Sequence, residues 1–523
     1  MNKLLENIKK ILYKILKVLF SRIVITALIF LVQIAIMIIT TYKIKEFSFY
    51  SIALTNLLGV IFTLHIISTQ DNPSYKLAWI IPVLMFPIFG VLLYGIFGGN
   101  KIRRKLKKQI EVMHDETLMM LPSDKKIIEE IENEELDVAT QVKYITNNSQ
   151  FPVYKNTSTK YFSPGEKFFD QLILELKKAK KYIFMEYFII AEGLMWNTIL
   201  DILKEKAKAG LDVRIIYDDF GCFTTLPNKY FKELEEYGIK VIVFNKVVPV
   251  LSAVINNRDH RKITVIDGHT AFTGGINLAD EYINKKIRFG HWKDSAIMVK
   301  GEAVWSFTIM FLHIWTSQKN ESLIDYKKYL PKINSSFVFE DDGYVQPYGD
   351  SPYDNELVGE NVYLNMINKA KKYVYIATPY LIVDNELITA LTIASKSGID
   401  VRIITPHIED KWYVHQITRS NYLQLIECGV KIYEYLPGFI HSKVVVSDDK
   451  VATVGTINFD YRSLYLHFEC GVFLYKTKSI SEIKKDYLET LKHSIKIEKA
   501  DAKNVRWYNR LFRAILRVFS PLM

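Results

Sequence analysis

The chain has 523 residues, 49% of them hydrophobic and 24% charged, with 68 Lys plus Arg against 57 Asp plus Glu and a net charge of +11. This length predicts about three structural units, and the composition excludes a disordered or collagen-like chain. Three scattered cysteines (Cys222, Cys428 and Cys470) exclude a disulfide scaffold and a cysteine-ligated zinc site, and they fit a reducing compartment. The basic balance points to an anionic partner, either nucleic acid or membrane lipid.

Leu4, Ile8, Ile11, Ile15 and Leu19 recur at helical spacing with Lys9, Lys10, Lys14 and Lys17 between them. Residues 1–22 therefore read as a basic amphipathic tail lying on an anionic surface. Residues 23–42 carry no charge and would make about 30 Å of helix, enough to cross a bilayer core. Residues 51–68 are apolar but interrupted by Thr55, Asn56, Thr63 and His65, and residues 77–98 are uncharged up to Gly98. Two or three spans are expected within 23–100. The first apolar run is too long for a secretory signal, and no cleavage pattern follows it. Lys101, Arg103, Arg104, Lys105, Lys107 and Lys108 then mark a cytoplasmic flank. The basic tail claims the same side, which three full crossings forbid. Either one segment is re-entrant, 51–68 being the weakest, or the N-terminus is translocated. Residues 101–145 are expected to be a basic linker and helix.

The remainder is duplicated. Lys181-Tyr-Ile-Phe-Met-Glu186 answers Lys372-Tyr-Val-Tyr-Ile-Ala377, and Gly210-Leu-Asp-Val-Arg-Ile-Ile216 answers Gly398-Ile-Asp-Val-Arg-Ile-Ile404. Each β-branched run follows a helical stretch, such as 165–180 and 193–209. This alternation predicts an α/β body in two halves, 146–325 and 326–495, each with a mostly parallel sheet. The polar stretch within 320–350 is the join. Residues 496–523 form a basic amphipathic C-terminal helix, with Arg506, Arg510, Arg513 and Arg517 on one face and Trp507, Leu511, Ala514, Ile515 and Val518 on another. It is read either as a membrane-surface helix or as one packed on the domain with its arginines outward.

The chemistry is concentrated in a doubled H-x-K-x4-D motif. The first half has His260, Lys262 and Asp267; the second has His441, Lys443 and Asp448. Asn277 and Asn458 each follow their histidine by 17 positions. Residues i and i+2 of a strand share a face, so each His projects with its Lys. Asp267 and Asp448 complete the motif and are counted with His260, Lys262, His441 and Lys443 as catalytic candidates, although their opposite parity favours a strand-end or turn contact. Two His, two Lys and two Asn around one point suit a phosphodiester. Ammonium groups and amides match the non-bridging oxygens, one imidazole attacks phosphorus, and an imidazolium protonates the leaving oxygen. No metal or other cofactor is called for, since a Lys beside each His opposes a bound cation. Asp294 and Glu469, about thirty residues beyond the motifs, are candidates to orient the imidazoles through the other ring nitrogen.

The doubled motif resembles the phospholipase D superfamily. The resemblance narrows to the bacterial cardiolipin synthases on Lys76-Leu-Ala-Trp-Ile-Ile-Pro82, Pro87-Ile-Phe-Gly-Val-Leu-Leu-Tyr94, Gly349-Asp-Ser-Pro352, Thr378-Pro-Tyr-Leu381, Arg419-Ser420 and Asn458-Phe-Asp-Tyr-Arg-Ser463. It implies N-terminal transmembrane helices followed by a two-lobed phospholipase D-like α/β body. The implied reaction joins two phosphatidylglycerol molecules into cardiolipin, releasing glycerol, through a phosphohistidine. His260 is assigned as nucleophile and His441 as acid and base, although the near-symmetric motifs do not order them. Glu186 and Tyr380, on equivalent strand ends, are expected either to line the site or to serve the core. The implied partners are phosphatidylglycerol and anionic membrane lipid rather than nucleic acid, with the oligomeric state open. The implied place is the cell membrane, multi-pass, with the catalytic body on the cytoplasmic side. The main rival is a membrane-bound phospholipase D that uses water and releases phosphatidic acid. A nuclease is disfavoured because the basic run at 101–108 has no interleaved aromatics.

Overall fold

The computed structural model describes residue 35 and residues 45–98, 120–246, 256–319, 326–330, 343–353 and 356–522. The tail at 1–22, the uncharged run at 23–42 apart from residue 35, the basic cluster at 101–108 and most of the join lie outside these residues. Two compact units are present.

The N-terminal unit has three helices, Lys45–Ser68, Pro73–Met85 and Pro87–Phe97. Asn72 caps the second by accepting the Ser74 N–H at 2.9 Å, with Pro73 at the first helical position. Its core is small: Ile66, Trp79 and Val83 are buried, with Phe62, Tyr75 and Tyr94 packed against them. The expected span at 77–98 is divided at Phe86 (φ −138°, ψ 75°), because Pro87 drives the residue before it out of helical geometry. The pieces have 13 and 11 residues, short of the roughly 20 that a bilayer core requires. No helix among the described residues is long and apolar enough to cross a membrane.

The larger unit holds both halves of the duplication. In the first half the strands are β1 (Thr157–Phe162), β2 (Tyr182–Tyr187), β3 (Asp212–Asp218), β4 (Lys240–Phe244), β5 (Arg258–Asp259), β6 (Lys262–Ile266), β7 (Thr270–Gly274), β8 (His291–Lys293) and β9 (Ala296–Gly301). In the second they are β10 (Tyr344–Asp350), β11 (Tyr373–Ala377), β12 (Leu381–Ile382), β13 (Asp400–Pro406), β14 (Lys431–Tyr435), β15 (Gly438–Ile440), β16 (Val444–Ser447), β17 (Val451–Gly455), β18 (Phe459–Asp460), β19 (His467–Tyr475) and β20 (Ser494–Lys496). The sheet orders are β1-β9-β7-β6-β2-β3-β4 and β10-β19-β17-β16-β11-β13-β14-β20.

The expectation of mostly parallel sheets is corrected. Only β2/β3/β4 and β11/β13/β14 run parallel within these sheets, where helical crossovers connect them. The motif strands β6 and β16 instead turn back through tight connections into β7 and β17, which makes those ladders antiparallel.

The helices expected at 165–180 and 193–209 occur at Gly165–Lys178 and Leu194–Lys208. They bury Phe168, Leu172 and Leu176, and Trp196, Ile199 and Leu203, against the first sheet. The helix Val304–Lys319 is apolar on most sides, so it is buried between the sheets. There Phe307, Phe311 and Trp315 share one core with Phe184 and Val265 of the first half and Val446, Val454 and Leu474 of the second. The segment expected as linker and helix contains two helices, Lys125–Glu134 and Leu136–Ser149, whose Ile131, Val138, Val142 and Ile145 pack with Tyr344 and Tyr363.

Candidate active site

The halves exchange short strands. β5 pairs parallel with the start of β19, Arg258 opposite His467 and Asp259 opposite Phe468. β15 pairs parallel with β8, Gly438 opposite His291 and Ile440 opposite Lys293. Each motif histidine follows directly. The His260 N–H donates to Phe468 O at 2.9 Å, and the His441 N–H donates to Lys293 O at 2.7 Å. Both histidines are therefore anchored by the opposite half.

The same crossing orients the rings. His260 Nδ1 lies 2.8 Å and 3.0 Å from the Glu469 carboxylate oxygens, and His441 Nδ1 lies 2.7 Å from Asp294 Oδ2. A carboxylate at Nδ1 holds the proton there and leaves Nε2 as the reactive nitrogen. Glu469 is also held by the Thr456 hydroxyl, and Asp294 accepts the Ser295 N–H at 2.8 Å. Gly275 is required where it stands, because a Cβ there would come within 2.1 Å of Asp294 Oδ1 and 2.8 Å of His441 O.

Lys262 and Lys443 are buried beside the rings. Lys262 Nζ donates to His260 O at 2.6 Å, and Lys443 Nζ sits 2.9 Å from His441 Nδ1. Burial brings Lys262 down to about 8 and Lys443 to about 7. Burial, reinforced by the lysine charges, holds both imidazoles well below the usual histidine range. Burial also raises the Asp294 carboxyl to about 7. With the imidazoles neutral, the two ammonium groups stand against the Asp294 and Glu469 carboxylates, and the depressed lysines show that their burial is only partly offset, a cost that an incoming anion relieves.

Asn277 and Asn458 use their amides alike. Asn277 Nδ2 donates to Tyr282 Oη at 2.8 Å, and Asn458 Nδ2 donates to Ser463 Oγ at 3.0 Å. Tyr282 in turn packs on His441, with ring centroids 5.6 Å apart. Tyr380 stands near the His441 side, its ring 6.4 Å from Phe439 and its hydroxyl donating to Asp410 at 2.6 Å.

Three candidates lie elsewhere. The Asp267 carboxylate accepts the N–H groups of Lys180, Lys181 and Tyr182 at 2.7, 2.7 and 2.9 Å. Asp448 does the same for Lys371, Lys372 and Tyr373 at 2.6, 2.9 and 2.9 Å. Both sit beyond the far ends of their motif strands at positive φ, so they staple neighbouring strands and are removed from the catalytic set. Glu186 is buried in an ion pair with Arg261 at 2.6 Å. Arg261 alternates with His260 and Lys262, so this pair lies on the opposite face of the strand and does not line the site.

His260, His467 and Glu469 offer donor atoms within 4.8 Å of one another, the only such group near the site among the described residues. The donor set does not suit a metal. His260 Nδ1 is already engaged with Glu469, and the charges of Lys262 and Lys443 bear on the same His260 ring. Arg258, Arg462 and His467 were not signalled by the motif spacing. Comparison of the two halves at fixed offsets from the motifs would have singled them out.

Residues 172–303 and 363–491 match the family described as cardiolipin synthase, PLD-like domain, and residues 57–99 match the phospholipase D-nuclease N-terminal family. A cardiolipin synthase of Alkalihalophilus pseudofirmus is 35% identical, covering 89% of this chain and 94% of that protein. One from Geobacillus kaustophilus is 36% identical, covering 89% and 92%. An uncharacterized protein of Streptococcus mutans is 43% identical over 88% of this chain and 99% of its own. Among solved structures, the phosphatidylserine synthase of Haemophilus influenzae superposes with a TM-score of 0.52 at 16% identity, covering 73% of this chain and 98% of that one, a likeness of fold. The doubled motif, the two-lobed fold and these full-length relatives together establish that the chain belongs to the bacterial cardiolipin synthase family of the phospholipase D superfamily.

Proposed function

We propose that the chain is a cardiolipin synthase that moves a phosphatidyl group from one phosphatidylglycerol to the free hydroxyl of another, releasing glycerol. The observation that carries the reading is the crossed pairing of His260 with Glu469 and His441 with Asp294, beside two buried lysines. Lys262 and Lys443 bind the phosphate oxygens, with Asn277 and Asn458 holding the loops that close the site. One neutral imidazole uses Nε2 to form a bond to phosphorus. The bond from phosphorus to the glycerol oxygen breaks, and the partner imidazole, protonated once the bound phosphodiester's charge offsets the neighbouring lysines, gives that oxygen its proton. The partner, now neutral, removes the proton from the second lipid's hydroxyl. That oxygen bonds to phosphorus as the bond from phosphorus to nitrogen breaks. Tyr380 lines the headgroup space.

Membrane attachment has two supports. The N-terminal unit exposes Ile52, Leu54, Leu57, Ile61, Leu64, Ile67, Leu77, Leu84 and Leu92, a lipid-facing surface rather than a water-facing one. At the other end, two arginines of the helix Trp507–Phe519 bond to the body: half-buried Arg513 donates to Gln416 at 2.9 Å and exposed Arg517 to Gln424 at 3.0 Å. Trp507, Leu511 and Ile515 are left exposed, so the apolar stripe is free to enter a lipid surface. With the uncharged run at 23–42 and the basic cluster at 101–108, this favours a multi-pass membrane enzyme with a cytoplasmic catalytic body.

The test is purified protein in detergent–phosphatidylglycerol micelles, with products resolved by mass. Cardiolipin with equimolar glycerol is expected. Phosphatidic acid and glycerol without cardiolipin would make water the acceptor and the chain a membrane phospholipase D.

A further inference from the structure

The two flanks of the site occupy equivalent positions of the duplication but differ in chemistry. Two residues before the motif histidines stand Arg258 and Phe439. Two residues before the orienting carboxylates stand His467, ahead of Glu469, and Trp292, ahead of Asp294. Four residues after the motif asparagines stand Arg462 and Glu281. The His441 flank is aromatic: Trp292 and Phe439 lie 5.4 Å and 5.9 Å from its ring, and Glu281 is paired with Arg288 at 3.0 Å. The His260 flank is basic.

The basic flank is built and only partly satisfied: Arg258 Nη1 donates to Asn245 O at 2.9 Å, and its guanidinium lies 5.1 Å from the Phe220 ring centroid. Arg258 and His467 are register partners, so their side chains share the face that carries His260 and Glu469. The His467 ring is 5.5 Å from the His260 ring. Arg258 is 2% exposed and His467 9% exposed. Arg258 Nη2, Arg462 Nε and His467 Nε2 are buried without a hydrogen-bond partner, and His467 Nδ1 lies 3.7 Å from Glu469 Oε1. Burial holds the Arg258 guanidinium below its usual range, with the Arg462 charge acting in the same direction. Asp218 pairs with Arg258 Nη1 at 3.5 Å and Asp219 adds a second opposing charge, while Asp460 accepts the Ser463 N–H at 2.9 Å and Glu469 holds His260.

We propose that Arg258, Arg462 and His467 form a second phosphate subsite, which holds the phosphodiester of the acceptor lipid while its hydroxyl attacks the phosphatidyl group. The inference rests on the synthase reading and deepens it. A lipid acceptor brings its own negative charge next to the reacting phosphate, whereas free glycerol brings none. A fork of guanidinium donors with an imidazole N–H matches that group.

The experiment compares two reactions of the full-length protein in phosphatidylglycerol micelles. One is cardiolipin formation. The other is incorporation of labelled free glycerol into phosphatidylglycerol, which uses the same histidines with an uncharged acceptor. Arg462→Gln is the first variant, on a half-buried side chain, and Arg258→Gln is the second. Cardiolipin formation is expected to fall by about tenfold or more, with a raised KM, as for loss of one charge-assisted contact. Glycerol exchange is expected to stay within about twofold, and Arg462→Lys to recover part of the loss. Equal losses in both reactions, or none in either, would overturn the subsite. Absence of both activities in the parent protein would overturn the synthase reading itself, and the subsite with it.

Discussion

His260 and Glu469 belong to different halves of the duplication, yet His260 Nδ1 lies 2.8 Å from Glu469 Oε1. His441 and Asp294 repeat the relationship in reverse at 2.7 Å. Neither half holds a complete site. Replacing Glu469 with Gln, or Asp294 with Asn, keeps the shape but loses the charge that fixes tautomer and stabilises the imidazolium. Turnover is expected to fall by about 10²-fold or more with a smaller change in KM. Steady-state kinetics on both variants checks this, and a loss in KM alone would assign these carboxylates to binding.

Lys443 is buried with its charge only partly compensated. Its pKa falls to about 7 on folding, so the unfolded chain binds the proton more tightly and the group opposes folding below its unfolded value. Lys443→Met is therefore expected to abolish turnover while raising the melting temperature by about 1–3 °C. A lowered melting temperature would mean that the lysine supports the fold.

The pH profile follows from the same lysines. In the free enzyme, charge is lost from Lys443 as pH rises through about 7 and from Lys262 through about 8. Phosphate binding weakens as those charges vanish, so kcat/KM should decline on the alkaline side across that window. The imidazoles lie well below their usual range and add no limb near 6.5, but Asp294, raised to about 7 by burial, takes up a proton as pH falls through that value, so an acid limb is expected there as His441 loses its orienting charge. A rise in kcat/KM between pH 7 and 9 would contradict this electrostatic account.

Asp267 closes three backbone N–H groups at the end of β6, away from the chemistry. Asp267→Ala is expected to destabilise the protein by about 1–3 kcal/mol, measured by chemical denaturation, while turnover per folded molecule persists. A severe loss of kcat with unchanged stability would return Asp267 to the catalytic set.

The order of the histidines follows from the second phosphate subsite. The acceptor hydroxyl must lie beside the histidine that removes its proton. A phosphate held by Arg258, Arg462 and His467 puts that hydroxyl next to His260, leaving His441 as nucleophile, the reverse of the order read from the sequence. Rapid quenching and peptide mapping should place the acid-labile phosphatidyl adduct on His441. An adduct on His260 would set the subsite behind the nucleophile and count against it.

Much of the site was legible in the sequence because its rules are local. A period of two puts His260 with Lys262 and His441 with Lys443 on one face, whereas the motif spacing counted Asp267 and Asp448 as catalytic and only their opposite parity hinted at the strand-end contacts they make. The duplication marked both halves, and the helices at 165–180 and 193–209 were found within two residues at each end. Sheet direction was misjudged because alternating strands and helices signal crossovers, whereas the hairpins at β6/β7 and β16/β17 depend on short turns.

The sequence alone determined the chemical inventory: two imidazoles, two ammonium groups, two amides and the candidate carboxylates, spaced in matching copies. Only the tertiary structure decided which carboxylate serves which histidine, and that Glu186 answers Arg261 instead of the site. It also decided that Arg258 stands opposite His467. These pairings join residues about 150 to 210 positions apart through strands exchanged between the halves, and no local periodicity encodes a partner at that distance.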